Sequence, residues 1–468
     1  MKFSKLALFI TLASFLSACT SSMTKDGSLE QAKTSYQQYE ELTKQFNIDE
    51  EWWKGYNDPQ LNRLVSQALA NNVNLAKSAI LVNKALYNAN LVGASLVPTF
   101  SGSGSSSASK LLVSDGSLQS SNSVTKASNV VHNASFNLSY TLDLWRRLAD
   151  SASASEWEYK ATIEDLKATR LSIINAVVAS YYQIAYLKDV INVSEQTIKN
   201  YEQINHILEN KMEVGAIDHL AVEQAKQATL NARNGLIGYR TTLKVAEQTL
   251  RNLLNLKPNE PLPIEYPAIL SVELQGVDMN VPISAIANRP DVAAKLKRLQ
   301  SAFKSLSATE KSWFPTVTLG ASISSSAAKL RNIGDNQLGN SMISLNLPFL
   351  DWQTVKNNVK LSEADYRLAK LNYEQVITSA LNEVDNYYYA YQQAFDSYST
   401  LQQVYEHNKK ISFYYKNRYE LGVAEFREWV NAMNVELTSQ LAILNQKYTI
   451  LAKENAVYQS MAGKYKRL

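Results

Sequence analysis

The chain contains KMEVGAIDHLAVE at residues 211–223 and RYELGVAEFREWV at residues 418–430. Both stretches open with a cation, a bulky residue, Glu, an apolar residue, Gly and a small residue. Their glycines, Gly215 and Gly422, are 207 residues apart. Glycine allows the backbone a left-handed turn that other residues resist, so each stretch predicts a turn between two helices. The repetition indicates an internal duplication.

A second pair of stretches supports the duplication. LVPTFSGSGSSS begins at Leu96 and WFPTVTLGASISSS begins at Trp313, and their prolines, Pro98 and Pro315, are 217 residues apart. The first half therefore holds about ten extra residues, which we place in its serine-rich segment 105–128. The predicted division is a signal peptide at 1–18, a lipidated N-terminal segment at 19–60, a first repeat at 61–255, an equatorial linker at 256–283 and a second repeat at 284–468.

Each half predicts long helices. Pro59 and Pro290 suit the first turn of a helix of about 30 residues, where a missing N–H costs nothing. Residues 147–214 and 353–421 contain neither proline nor glycine, so each predicts a helix on the order of 100 Å long. The chain then returns through further helices, 218–254 and 426–461. Frequent small residues favour a wall of helices in which each helix packs against a neighbour on both sides. An ordinary two-stranded coiled coil is the alternative.

Strands are predicted between these helices, one hairpin in each half. Apolar and small polar residues alternate with a period of two, which gives each strand one apolar face. The apolar positions are Phe136, Leu138, Tyr140 and Leu142 in the first half, and Val317, Leu319, Ala321, Ile323, Ile343, Leu345 and Leu347 in the second. We expect no other strands that would form a second sheet.

Four strands of about ten residues have the length that a tilted strand needs to cross a bilayer. A sheet in lipid must close, because an open edge leaves N–H and C=O groups unpaired. The smallest membrane barrels use about eight strands, so four cannot close alone. Several copies must pool their strands, which would also pool their helices into a hollow cylinder.

The N-terminus predicts export. Residues 1–18 (MKFSKLALFITLASFLSA) have the basic start and apolar run of a secretory signal peptide. Residues 16–19 resemble a bacterial lipobox, which implies a covalent N-acyl and S-diacylglycerol lipid on Cys19, and Thr20 after it points to the outer membrane. As the sole cysteine, Cys19 excludes an internal disulfide. The weak net charge of +4 argues against a nucleic-acid partner.

The chain resembles the TolC-type outer-membrane efflux factors, in the lipoprotein (NodT/OprM/CusC-like) branch of RND efflux systems. The resemblance covers nearly all of the mature chain and combines several motifs in the right order. Besides the lipobox and both turns, they are EWWKGYNDPQLNRLVSQAL from Glu51, VPTF from Val97, YTLDLWRR from Tyr140, ANRPDV from Ala287, WFPTVTLG from Trp313 and NLPFLDW from Asn346.

The resemblance implies a mainly α-helical fold with a membrane β-barrel. A homotrimer would form one barrel of twelve strands, four from each protomer, that continues into a long periplasmic α-helical barrel. It implies outer-membrane lipid around the barrel, a periplasmic adaptor (membrane fusion) protein and an inner-membrane RND-type pump as partners. It implies no cofactor, no metal site and no catalytic residue. The implied function is a passive exit duct for drugs and other small toxic compounds across the periplasm and outer membrane.

In this family both turns lie at the periplasmic end, where the tunnel closes. The resemblance gives an adaptor contact to Val214, Gly215, Leu421 and Gly422, and a periplasmic gate to Glu428, Asn431, Tyr419, Arg418 and Asp218. Glu428 and Tyr419 match family gate positions, whereas Asn431 replaces an acid. The usual acidic partner of the tyrosine falls at Ala221 and the usual arginine at Ala424, so we expect a substitute contact from one of Arg418, Glu425, Arg427 and Asp218.

Other functions remain as alternatives. A duct for type I protein secretion or for metal-ion efflux would have the same architecture. A helical adaptor or adhesin would explain the helices but neither the strands nor the lipobox. An enzyme is not expected, because the four histidines are scattered and no phosphate loop, nucleophile elbow or HExxH is present.

Overall fold

The structure is a computed structural model that describes residues 27–110 and 128–467. The predicted signal peptide, Cys19 and most of the serine-rich segment lie outside the described residues. Within them, the helices are α1 (Ser28–Thr43), α2 (Pro59–Asn71), α3 (Val73–Gly93), α4 (Arg147–Glu213), α5 (His219–Leu253), α6 (Pro290–Glu310), α7 (Trp352–Glu420) and α8 (Phe426–Ser460). The strands are β1 (Phe46–Asp49), β2 (Thr99–Lys110), β3 (Ser128–Leu142), β4 (Thr316–Ala327), β5 (Gln337–Asn346) and β6 (Lys464–Arg467).

The four long helices confirm the sequence prediction. α4 has 67 residues and α7 has 69, and each ends one residue before the position expected from the absence of glycine and proline. α5 and α8 return as helices of 35 residues each. None of the helices in residues 27–110 and 128–467 combines the length and apolar character needed to cross a membrane.

The helices that begin at proline are shorter than expected. Pro59 and Pro290 do begin α2 and α6, and Asp58 caps α2 by accepting the N–H groups of Gln60 and Leu61 at 2.9 and 3.1 Å. However, the first helix breaks at Asn72, whose side-chain oxygen accepts two N–H groups and so starts α3 as a new helix. The helix of the second half has 21 residues.

The described chain forms two compact units. The sheet unit comprises Val82–Thr162 and Lys295–Tyr373, with the N-terminal stretch that ends at Gln31. The hairpin unit comprises Ala32–Leu81, Ile163–Ala294 and Glu374–Leu468. α3, α4, α6 and α7 each contribute residues to both units. Each unit therefore combines segments from both sequence repeats.

The sheet unit contains an antiparallel sheet in the order β2-β3-β4-β5. Its register aligns Gly102, Phe136, Ile323 and Gly339 across the four strands. The side chains at this level and at every second position share the face that the sequence predicted to be apolar. Two of them are far from buried, Phe136 with 71% and Ile323 with 57% of its surface exposed. The sheet thus has an exposed face that carries apolar side chains. Its two outer strands are β2 and β5.

A second sheet is present, contrary to the expectation. β1 and β6 pair antiparallel over four residues in the hairpin unit, with Phe46 opposite Arg467 and Asp49 opposite Lys464. Strands of four residues are too short to show a period of two in the sequence. Their partners also lie at opposite ends of the chain, so no local turn signal marks the pairing.

The hairpin unit has an aromatic core in which one carboxylate is completely buried. Trp52, Tyr181 and Glu454 are all 0% exposed. The Glu454 carboxylate accepts the Tyr56 hydroxyl at 2.8 Å and the Gly276 N–H at 2.6 Å. Burial raises the pKa of the Glu454 carboxyl, although these hydrogen bonds and the nearby Lys464 act in the opposite direction. Glu454 therefore ties the N-terminal segment and the linker to α8.

We expect Glu454 to make the stability of this unit depend on pH. Because its pKa is higher in the folded state, its favourable contribution is complete below the unfolded pKa of about 4.3 and is lost as pH rises through the folded pKa. Glu454→Gln does not titrate. The Tm of the unmodified protein minus that of Glu454→Gln should therefore fall as the pH rises above about 4.3. Glu406→Gln, which removes an exposed carboxylate of α7, is the control variant for these measurements.

Candidate functional site

The two helix turns in the hairpin unit have the same backbone geometry. Gly215 and Gly422 both have φ of 73°. In the first turn the Gly215 N–H donates to the Met212 carbonyl at 2.9 Å and the next N–H donates to Lys211 at 2.8 Å. The second turn repeats these bonds at 3.0 and 2.9 Å. This is the Schellman arrangement, which satisfies the last carbonyls of a helix and requires a left-handed residue.

A substitution at either glycine should act through its φ alone, because an added Cβ would meet nothing within 4 Å. We expect Gly215→Ala and Gly422→Ala each to destabilise the turn by about 1 kcal/mol. Gly238→Ala is the matched control, since Gly238 lies inside α5 with equally open surroundings. That variant should stabilise the protein by about 0.5–1 kcal/mol. Local hydrogen exchange at the turns, with thermal unfolding, measures these opposite effects.

Two of the predicted gate acids cap the helices that follow the turns. Asp218 accepts the Ala221 N–H at 3.2 Å at the start of α5. Glu425 and Glu428 form a reciprocal capping box at the start of α8, in which Glu428 accepts the Glu425 N–H at 3.2 Å. Such caps stabilise a helix by about 1 kcal/mol. The predicted gate acids Asp218 and Glu428 thus have a local structural role within one protomer.

Aromatic side chains cluster at the second turn, where a lysine from the first turn contacts them. Tyr419 stacks on Trp429 at 5.4 Å between ring centroids and meets Phe426 edge-on at 5.6 Å. We call α4 with α5 the first helical hairpin and α7 with α8 the second. The Lys211 ammonium of the first lies 4.9 Å from the centre of the Tyr419 ring of the second, which is a cation–π contact between the two hairpins. We call Lys211, Tyr419, Phe426 and Trp429 the tip cluster.

The Tyr419 hydroxyl is buried without a hydrogen-bond partner among the described residues. Ala221 packs against the same apolar cluster as Tyr419 and has no side-chain acceptor to offer. A buried hydroxyl without a partner costs about 1–3 kcal/mol. Tyr419 therefore contributes to the contact between the hairpins through its ring and not through its hydroxyl.

The remaining predicted gate residues either form hydrogen bonds within their own helical hairpin or are exposed to solvent. Arg418 donates to the Val423 carbonyl and to the Tyr414 hydroxyl, each at 3.0 Å. Glu428 and Asn431 are both exposed and, three residues apart, share one face of α8. The structure of the described protomer thus brings Tyr419 into the contact between hairpins and leaves Arg418 and Asp218 in local bonds.

The extreme residues of both turns are exposed apolar side chains. Val214 has 78% and Leu421 has 77% of its surface exposed, and they occupy equivalent positions, each directly before its turn glycine. Their backbones are fixed by the Schellman bonds, so these side chains are presented on rigid turns.

Sequence reasoning did not identify Lys211, Phe426 and Trp429 as parts of the site. Phe426 and Trp429 are three residues apart on one helix, a spacing that places both rings on one face. That spacing was a usable signal. The position of Lys211 over Tyr419 depends on how two hairpins pack, which no local pattern shows.

Comparison with known proteins identifies the class to which this fold belongs. Residues 64–256 and 281–463 match the family model for outer membrane efflux proteins, and the chain belongs to this family. The two matched ranges fit the internal duplication. They also confirm the resemblance to TolC-type channels that the motifs indicated.

Individual relatives extend over almost the whole chain. The chain is 52% identical over 461 residues to Toxin and drug export protein A of Aggregatibacter actinomycetemcomitans, covering 98% of each protein. It is 26% identical over 419 residues to the Cation efflux system protein CusC of Escherichia coli K12, covering 88% of each. Its fold matches the outer membrane protein VceC of Vibrio cholerae with a TM-score of 0.79 and 22% identity, over 89% of this chain and 100% of that one.

These comparisons define the general function. The protein is an outer-membrane efflux channel of the mainly α-helical TolC type, and it is not an enzyme.

Proposed function

We propose that three copies of the chain form one twelve-stranded barrel in the outer membrane, continued by a periplasmic helical barrel. The observation that carries this proposal is the four-stranded sheet with outward apolar side chains and two outer strands. Four strands do not close on themselves, and an open edge in lipid leaves backbone groups unpaired. Pairing β5 of one copy with β2 of the next removes every edge.

The trimer serves a tripartite efflux system, with a periplasmic adaptor and an inner-membrane RND-type pump as its partners. Val214, Gly215, Leu421 and Gly422 are the adaptor contact in this proposal. Support comes from their exposure and from the identical geometry of the two turns. A duplicated turn gives the adaptor two similar surfaces on each protomer.

The periplasmic gate lies at the same turns. Glu428 and Asn431 point into the tunnel in the closed trimer, where three carboxylates around the axis favour cations over anions. Tyr419 joins the hairpins, while Arg418 and Asp218 hold their turns in the closed conformation. The support for this assignment is the clustering of the five residues at the two turns and the exposure of Glu428 and Asn431.

Cys19 carries the N-acyl and S-diacylglycerol lipid, which anchors the N-terminal segment in the outer membrane. The support is the lipobox-like sequence at residues 16–19. The lipid adds to the anchoring by the barrel. Cys19→Ser, if cleaved by another peptidase, should therefore lose the lipid and retain the trimer.

The cargo is drugs and other small toxic compounds. This assignment follows the relative at 52% identity, whose name combines toxin and drug export. The same name keeps type I protein secretion as the second candidate. Metal-ion efflux, suggested by the name of the cation efflux relative, has support only at 26% identity.

Deletion of the gene with complementation tests this function. We expect deletion to increase drug and detergent susceptibility, with metal susceptibility and secreted proteins unchanged. Unchanged drug susceptibility together with a missing secreted protein would assign the channel to secretion. Mass measurement of the solubilised protein tests assembly separately, since a monomer without conductance would contradict the trimer.

A further inference from the structure

Two constant offsets relate the strands of the first half to those of the second. Pro98 and Pro315 are 217 residues apart, and β2 and β4 each begin at the residue that follows its proline. Trp145 and Trp352, which follow β3 and β5, are 207 residues apart, the same offset as the turn glycines. β4 is therefore the counterpart of β2, and β5 is the counterpart of β3.

The register of the two strand hairpins obeys both offsets. In the first strand hairpin Thr99 lies opposite Ser139, and in the second Thr316 lies opposite Asn346. An offset of 217 for the first member and of 207 for the second converts one pair into the other. The same conversion holds along the whole of β5. The two strand hairpins are therefore copies in register as well as in sequence.

β3 and β4 form the junction between the two strand hairpins of the described protomer. Asn137 lies opposite Ser322 in this junction. In a closed ring, a second kind of junction joins β5 of one copy to β2 of the next. Strand tilt and stagger are linked in a barrel, so a ring of like hairpins is least strained when every junction has the same stagger. The two offsets then convert the observed junction into the junction between copies.

We propose that β5 and β2 of neighbouring copies pair antiparallel with Ser344 opposite Ser105. This pair is the counterpart of Asn137 opposite Ser322 within one copy. The pairing rests on the trimer of the proposed function and adds its register. Between copies it extends from Asn346 opposite Ser103 to Gly339 opposite Lys110.

The two faces of the strands agree with this register. Gly102 and Gly339 lie at the same level as Phe136, so even-numbered residues of β2 and odd-numbered residues of β5 share the apolar face. The proposed pairing places even opposite odd throughout. A slip by one residue would turn the side chains of β5 to the wrong face. A slip by two residues would keep the faces, and the small residues of β2 would accept it, so the duplication selects the register.

Disulfide cross-linking of the full-length protein in outer-membrane fractions, with copper phenanthroline as the oxidant, tests the register. Ser344→Cys is combined in turn with Ser103→Cys, Ser105→Cys and Ser107→Cys, three positions on one face of β2. Residues directly opposite have Cα atoms about 4.5–5.5 Å apart, whereas diagonal neighbours are about 7–8 Å apart, which is too far for an unstrained disulfide. We expect the pair with Ser105→Cys to form covalent trimers at least about fivefold faster than the other two.

Two controls define the origin of each cross-link. Thr318 lies opposite Ser344 within one copy, so Thr318→Cys with Ser344→Cys should lose its free thiols and keep the mass of a single chain in a denaturing, non-reducing gel. Ser344→Cys alone and Ser105→Cys alone measure any cross-linking through Cys19, which is subtracted from the yield of the pairs.

A second pair checks the same register on the apolar face. Ala108→Cys with Ser341→Cys should cross-link between copies at least about fivefold faster than Ser106→Cys with Ser341→Cys, for the same geometric reason. A preference for Ser103→Cys or Ser107→Cys in the first set would overturn the register. So would the absence of cross-links between copies when the pair within one copy oxidises. Mass measurement of the solubilised protein distinguishes the two levels, because a monomer would contradict the trimer itself, whereas a trimer with another cross-linked pair would contradict its register alone.

Discussion

Ile323→Arg should prevent assembly of the trimer in the outer membrane. Ile323 lies on the central strand β4, between Phe136 and Gly339, with its side chain exposed on the apolar face. In the proposed barrel this face meets lipid. An arginine near the bilayer midplane of a membrane barrel costs about 2–4 kcal/mol, and a trimer would carry this cost in every copy. We expect the heat-modifiable trimer to be lost from outer-membrane fractions.

Ser322→Arg is the matched control, one residue earlier on the same strand. Successive side chains of a strand point to opposite faces, so this arginine would face the water-filled interior. Trimer yield should stay close to that of the unmodified protein. Equal loss in both variants would mean that the strand tolerates no large side chain. Retention of the trimer in Ile323→Arg would mean that the apolar face does not contact lipid.

The sequence predicts most of this fold because its strongest signals are local. The absence of glycine and proline gives the ends of α4 and α7 to within one residue. Likewise, the period of two identifies the apolar face of these strands, on which the structure pairs Phe136 with Ile323. Local signals fail where the structure depends on distant partners. The β1–β6 pair joins the two ends of the chain, and the break at Asn72 depends on one side-chain cap.

The site was less predictable than the fold for a related reason. The turn glycines and the exposed Val214 and Leu421 follow from residue types at adjacent positions. The capping box of Glu425 and Glu428 could have been read from their three-residue spacing. By contrast, the tip cluster depends on the packing of α4 against α7 and α8. The family resemblance predicted a role for Tyr419 as the hydrogen-bond partner of an acidic residue. In this chain that acidic residue is replaced by Ala221.

Trp429→Ala should open the closed channel, on the proposal that the turns form its gate. The Trp429 ring stacks on Tyr419, and truncating a large aromatic residue in a core costs about 3 kcal/mol, with less expected at this partly buried position. Loss of the stack removes one of the two aromatic contacts that hold Tyr419 at the start of α8. We expect conductance in a planar bilayer to rise several-fold. Cells that carry the variant should also become more sensitive to large antibiotics that the closed channel excludes.

Tyr419→Phe distinguishes ring packing from hydrogen bonding. It keeps the ring that stacks on Trp429 and lies under Lys211, and it removes a hydroxyl that has no partner in the described protomer. Conductance should therefore stay the same or decrease, and the Tm should stay the same or rise. If Tyr419→Phe raised conductance as much as Trp429→Ala, the hydroxyl would have to bind a neighbouring copy in the trimer. The closed state would then depend on a hydrogen bond between protomers rather than on aromatic packing within each one.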